Sequence, residues 1–222
     1  MSTSLIDILV RPDAFFSRIA AEKESLKIPT LIILSAGIVA AITGYLMGGL
    51  SAKMMSGVMP GLEVVITLSA MAGAFIGTFI FWLVASGIFY VISSLLKGQG
   101  SFTRVLEVVG YGYLPQIAGS IITLVAAVLY IPGITVPTLS KAALEDPAMI
   151  EQVTKAFMHD PAMMELTQIT TLVSIVFMLW SAHIWIFGIK HARGLSMRNA
   201  AICVGVPIVL YILYLTYNLG VM

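Results

Sequence analysis

Between Pro29 and Leu50 the chain carries no charged side chain, and four further stretches repeat that silence. Met1 to Lys27, by contrast, holds eight charges: Asp7, Arg11, Asp13, Arg18, Glu22, Lys23, Glu24 and Lys27. Of 222 residues, 59% are hydrophobic and 10% charged. Water-facing polar groups cannot cover such a composition, so the chain belongs in a bilayer. A crossing needs about 20 apolar residues for a hydrocarbon core of about 30 Å. Unpaired backbone groups are not tolerated in lipid, so runs of this length must be helices. The short alternating segments of a membrane barrel are absent.

The runs predict an all-α integral membrane bundle of five transmembrane helices, at about 28–50, 70–96, 105–131, 167–189 and 199–219. The second lies within a charge-free run from Val64 to Leu96, long enough to tilt or protrude. Residues 1–27 are expected as an interfacial segment and 28–222 as the membrane domain, with an outer helical loop at 132–166. The mixed charges and proline before the first span do not resemble a signal peptide, so that span is expected to be retained.

Orientation follows from Lys and Arg. With the N-terminus inside, the inner segments hold Arg11, Arg18, Lys23, Lys27, Lys97, Arg104, Lys190, Arg193 and Arg198, and the outer ones only Lys53, Lys141 and Lys155. Nine against three predicts N-in and C-out. Before the first span, Leu5, Ile6, Leu9 and Val10 share one side of a short helix, and Phe15, Phe16 and Ile19 share one side of a second. Pro12 suits a helix start. These helices either lie on the inner leaflet or dock on the protein's own helices.

The outer loop repeats itself. Asp146-Pro147-Ala148-Met149 recurs as Asp160-Pro161-Ala162-Met163. Asp is a good N-cap and Pro a good first helical residue. Ile150, Val153 and Phe157 mark one face of the first loop helix, and the second is expected to run from Pro161 into span four. Met149, Met158, Met163 and Met164, with Met54, Met55 and Met59, place seven of 13 methionines in two outer loops. Met is over-used on adaptable apolar binding surfaces. Met149, Phe157, Met163 and Met164 are therefore candidates for an outer hydrophobic surface, faintly like the helical modules of some co-chaperones. The alternative is a cap resting on the spans.

Within the spans, small residues recur at Ala36, Ala40, Gly44 and Gly48 and at Ser69, Gly73 and Gly77. Such faces pack helices closely, inside one chain or between copies of a homo-oligomer. Gly110-Tyr111-Gly112-Tyr113-Leu114-Pro115-Gln116 predicts a kink or break in span three. Broken helices serve transporters as ion or substrate sites; transporters usually show two such elements in related halves, and Pro207 in span five is lone. Ionisable residues inside a membrane are candidates for function and need partners. Glu107 lies about one turn into span three, and His183 seven residues before Lys190, about 10 Å deep. Glu107, Tyr111, Pro115, Gln116 and His183 thus form a candidate intramembrane site. Arg104 is the local partner for Glu107; Lys190, Arg193 or Arg198 are the distant ones. The last three also form a candidate cluster for anionic headgroups. Gly194 suits a left-handed helix cap, and Ser196 an N-cap for span five.

Enzymatic patterns are missing: no His-Glu-x-x-His, Gly-x-Ser-x-Gly or phosphate-cradling glycine loop occurs. His159, His183 and His191 are scattered, so no metal site or cofactor is expected. A net charge of +1 offers no nucleic-acid surface. The lone Cys203 reads as a small packed apolar residue.

Two segments resemble a known family. Phe102-Thr103-Arg104-Val105-Leu106-Glu107 leading into Gly110-Tyr111-Gly112-Tyr113-Leu114-Pro115 resembles the middle motif of the Yip1 family. Trp185-Ile186-Phe187-Gly188-Ile189-Lys190-His191-Ala192-Arg193-Gly194-Leu195-Ser196, with Asn199-Ala200-Ala201 and Val206-Pro207, resembles its late motif. Arg11-Pro12-Asp13-Ala14-Phe15-Phe16 looks like prokaryotic members. Packing and interfacial features without a catalytic set predict a non-enzymatic membrane scaffold or adaptor toward membrane proteins or lipids. The resemblance implies five spans with the N-terminus inside. In eukaryotic members it implies vesicle traffic with Rab GTPases, through a longer N-terminal region than the 27 residues here, so Rab binding is not expected. A prokaryotic member implies the cell membrane. Transport through Glu107 and the Pro115 break is the alternative, and a holder of apolar segments in the Met-rich loop is a third.

Overall fold

The computed structural model describes residues 5–221; residues 1–4 and 222, which the expected segments include, lie outside the described residues. Nine α-helices occur among them: α1 (Leu5–Val10), α2 (Pro12–Ala21), α3 (Lys27–Met55), α4 (Glu63–Leu95), α5 (Phe102–Gly112), α6 (Leu114–Tyr130), α7 (Pro147–Met158), α8 (Pro161–Arg193) and α9 (Met197–Val221). Five stretches are long and apolar enough to cross a membrane: α3, α4, α6 with its 3-10 extension to Gly133, α8, and α9 as far as Tyr217. Among the described residues there is no strand. Apolar side chains such as Leu31, Val84, Leu129, Val176 and Leu210 stand exposed along these helices, as lipid contact requires.

The expected third span needs correcting. It does not run as one helix from Val105: the chain breaks at Tyr113, and the crossing helix starts at Leu114. Pro115 sits in the first turn of α6, where its missing N–H would be unpaired anyway. It therefore restarts a helix rather than bending one. α5 is left as a separate helix of 11 residues, buried from Arg104 to Gly112.

Small residues set the helix spacing. A Cβ on Gly44 would lie 2.7 Å from the Cβ of Ala74, and one on Gly48 2.7 Å from that of Ala70. The α3 small-residue face is thus spent against α4. Gly73 and Gly77 on α4 face open space.

Two cores result. The larger joins Ile8, Phe15, Phe16, Ile33, Phe89, Val105, Val108, Trp185 and Ile189, at the end where α1, α2 and the α4–α5 turn lie. We call this the basic end. Docking is the outcome for α2: its expected apolar face, Phe15, Phe16 and Ile19, is buried on the bundle rather than turned to a leaflet. On α1, Ile8 is buried, while Leu5, Ile6 and Val10 stay exposed. The smaller core, at the loop end, joins Leu50, Ala126, Ala127, Ile134, Met163 and Leu166.

Local capping chemistry shapes the loop. Asp146 accepts from the Ala148 amide at 2.9 Å, starting α7. Asp160 accepts from Ala162 and Met163 at 3.0 and 3.1 Å, starting α8, which continues unbroken as a span. Asp160 also accepts from the Thr135 amide at 3.1 Å, which holds its carboxyl below the usual aspartate range. Gly194 takes the left-handed conformation, φ 60°, that ends α8.

Candidate functional site

The buried polar groups of the basic end converge on α5. Ser101 caps that helix, its Oγ accepting from the Arg104 amide at 3.0 Å. The Arg104 guanidinium donates to Glu107 Oε2 at 2.5 Å and to the Glu22 carbonyl at 2.5 Å. The other oxygen of Glu107 accepts from the Ser25 amide at 3.3 Å. Ser101 also donates to Glu24. Residues 22–25, the link between α2 and α3, are thereby strapped across the start of α5. Glu107 is 2% exposed, so both charges sit in a medium where pairing is obligatory.

The far end of α5 meets two tryptophans. Val109 is among the last four residues of α5, whose carbonyls have no intrahelical partner, whereas Leu106 lies mid-helix and takes an indole in addition. Trp185 Nε1 donates to the Val109 carbonyl at 2.9 Å, and Trp82 Nε1 to that of Leu106 at 2.9 Å. The approach is possible only because of glycine. A Cβ on Gly112 would lie 2.2 Å from the Trp185 ring, and one on Gly188 2.2 Å from Val108. Tyr111 packs edge-on against Phe15, with centroids 5.2 Å apart, which joins α5 to the docked α2.

The five residues expected to share an intramembrane site separate. Glu107 and Tyr111 belong to α5 and Pro115 to the first turn of α6. Gln116 donates to Ser181 of α8 at 3.2 Å. His183 is exposed on α8, stacked edge-on against Phe187 at 5.0 Å. The basic cluster also divides. Arg193 is 2% exposed. It donates to Ser93 at 2.9 Å, Ser94 at 2.8 Å, the Gly98 carbonyl at 3.0 Å and the Gly100 carbonyl, with Tyr90 under its guanidinium at 4.5 Å. It clamps the α4–α5 turn and cannot reach a headgroup. Lys190 Nζ lies 2.7 Å from Asp13 Oδ1, and His191 Nε2 lies 2.7 Å from the same oxygen, pinning α2 to α8. The hydrogen bonds that Asp13 accepts from Lys190 and His191 hold its carboxyl below the usual 3.8. Arg198 alone of the three is exposed without an ion pair among the described residues.

Comparison with known proteins agrees with this architecture: the Yip1 domain matches residues 6–218, nearly the whole chain. The chain belongs to the Yip1 family. It is also 36% identical, over 121 residues, to an uncharacterised protein of Methanocaldococcus jannaschii, a match covering 54% of this chain and 86% of the relative. No solved structure matches it. With five apolar helices of crossing length, this Yip1-family protein is a multi-pass membrane protein in contact with the lipid bilayer.

At its loop end, the expected hydrophobic surface is not one surface. Met149 is exposed, Phe157 and Met164 are half-buried, and Met163 is buried in the smaller core. Of α7, Phe157 and Met158 pack partly buried on the smaller core, and none of its residues is fully buried. Sequence reasoning passed over Trp82, Trp185, Gly188 and the Ser93–Ser94 pair. Trp185 and Gly188 lay inside the quoted late motif, which was the available signal; Trp82 gave none.

Proposed function

We propose that this Yip1-family protein is a non-enzymatic adaptor of the cell membrane, with its basic end in the cytoplasm. The bias of Lys and Arg toward that end supports the orientation. The observation that carries the adaptor reading is the treatment of α1. Its Ile8 is fully buried, while Leu5, Ile6 and Val10 are 45%, 66% and 69% exposed. A short helix held by one side on a rigid seat offers the other to a partner, a membrane protein or lipid, without further ordering cost. Lys97 and Arg198 stand exposed at the same end. The open Ser69–Gly73–Gly77 side of α4 is the small-residue face left for a second copy.

The transport reading draws less support, because Glu107 is enclosed and both its oxygens are engaged. Burial of Met163 weighs likewise against a holder of apolar segments.

A photo-crosslinker at Ile6 or Val10, in native membranes, is expected to give discrete protein or lipid adducts that the same group at lipid-facing Val176 does not. Identical adduct patterns at all three positions would sink the adaptor reading. A C-terminal reporter active only in the cytoplasm is expected to stay silent; activity would reverse the orientation.

A further inference from the structure

At the loop end, α3 and α4 part around a crevice lined by Tyr45, Gly49, Lys53, Glu63, Thr67 and Leu68. Its volume is about 300 Å³. The two helices touch at Gly44 and Gly48, yet Gly49 faces open space and forms the notch. One rim carries a cation and the other an anion. Each charge suits its own helix terminus, but among the described residues neither Lys53 nor Glu63 forms an ion pair. The crevice also lies at the right depth. With 33 residues α4 is about 50 Å long, against about 30 Å of hydrocarbon, so its ends reach the headgroup layers. Tyr45, half exposed, sits eight residues before Lys53, about 12 Å nearer the bilayer centre.

We propose that this crevice binds the headgroup of a phospholipid bearing phosphoethanolamine, with Lys53 donating to the phosphate, Glu63 accepting from the primary ammonium, and one chain descending past Gly49 and Tyr45. The volume suits a headgroup rather than a whole lipid. Charge complementarity selects the class. A glycerol headgroup brings no cation for Glu63. A choline headgroup brings a cation with no N–H to donate, and a serine headgroup adds a carboxylate beside Glu63. The site rests on membrane embedding alone, so its failure leaves the adaptor reading of α1 untouched.

Native mass spectrometry of the full chain in detergent, with equimolar phosphatidylethanolamine, phosphatidylcholine and phosphatidylglycerol, tests it. The ethanolamine lipid is expected to bind about tenfold tighter than the choline lipid, the scale of one charge-assisted hydrogen bond. Glu63→Gln is expected to erase that gap, Lys53→Gln to weaken both lipids, and Gly49→Leu to block retention with no change of charge. All three positions are on the surface of the crevice, so folding is preserved. Equal binding of the two lipids by the native chain overturns the proposal, as does a gap that survives Glu63→Gln. A dimer that forms without retained lipid and is lost in Glu63→Gln would also overturn it, placing a second copy in the crevice.

Discussion

At the basic end, helices meet through buried polar groups whose partners come from distant parts of the chain. Arg193 closes on a turn about 95 residues before it, and Trp185 on a carbonyl 76 residues away. At the loop end they meet through the apolar side chains of the smaller core, and the polar contacts lie in the loops: caps at Asp146 and Asp160, the Thr135 amide on Asp160, and the Leu139 amide on the Met54 carbonyl. The basic end is where the molecule is specified. A buried charge or indole accepts few geometries and holds α5 in one place, whereas an apolar seam with surface caps tolerates exchange of one side chain for another of similar size. The rigid end is therefore the one on which an exposed contact surface is worth building.

Substitutions sharpen the contrast, and the largest effect belongs to the buried pair. Glu107→Leu leaves Arg104 charged, buried and without its carboxylate; a loss of about 3 kcal/mol is expected, read as a clear drop in thermal midpoint in detergent. Gly112→Ala and Gly188→Ala force Cβ atoms into Trp185 and Val108, costing about 1–3 kcal/mol each, while Gly73→Ala on α4 is neutral or stabilising. Equal effects of the three would mean that glycine is not what lets α5 and α8 meet. At the loop end, Asp160→Ala removes the cap of α8 and the Thr135 contact for about 1 kcal/mol. This loosening is expected to appear as faster amide exchange confined to the start of α8.

The smallest effect is an acid loosening of the start of α2, whose Phe15, Phe16 and Ile19 stay buried on the bundle. The depressed Asp13 carboxyl contributes fully above its usual value of 3.8, and the contribution disappears as pH falls through the lowered value. A spin label at exposed position 17 is expected to gain mobility only in that acid range. In Asp13→Asn it should be mobile at neutral pH.

What was legible in the sequence was local. Hydropathy marks five runs because lipid demands them, and Asp-Pro and Gly194 mark helix ends because their chemistry acts within three residues. The break near Pro115 was legible for the same reason. The separate existence of α5 was not, because its apolar content reads equally as the first turns of a span. Only its neighbours, Trp82 and Trp185, reveal that it is enclosed by protein. Arg193 misled in the same way. A cation at a helix end near a membrane looks like a headgroup ligand until the Ser93–Gly100 turn is seen folded over it.

The glycine-lined contact of α5 with α8 also has a consequence for timing. Trp185 is made 76 residues after Val109. At about 5–20 residues per second, the carbonyl it satisfies waits about 4–15 s before its donor exists. During synthesis the face of α5 toward Trp185 and Gly188 has no finished wall until the fourth crossing is made, so a helix made midway through the chain has its seat completed only late.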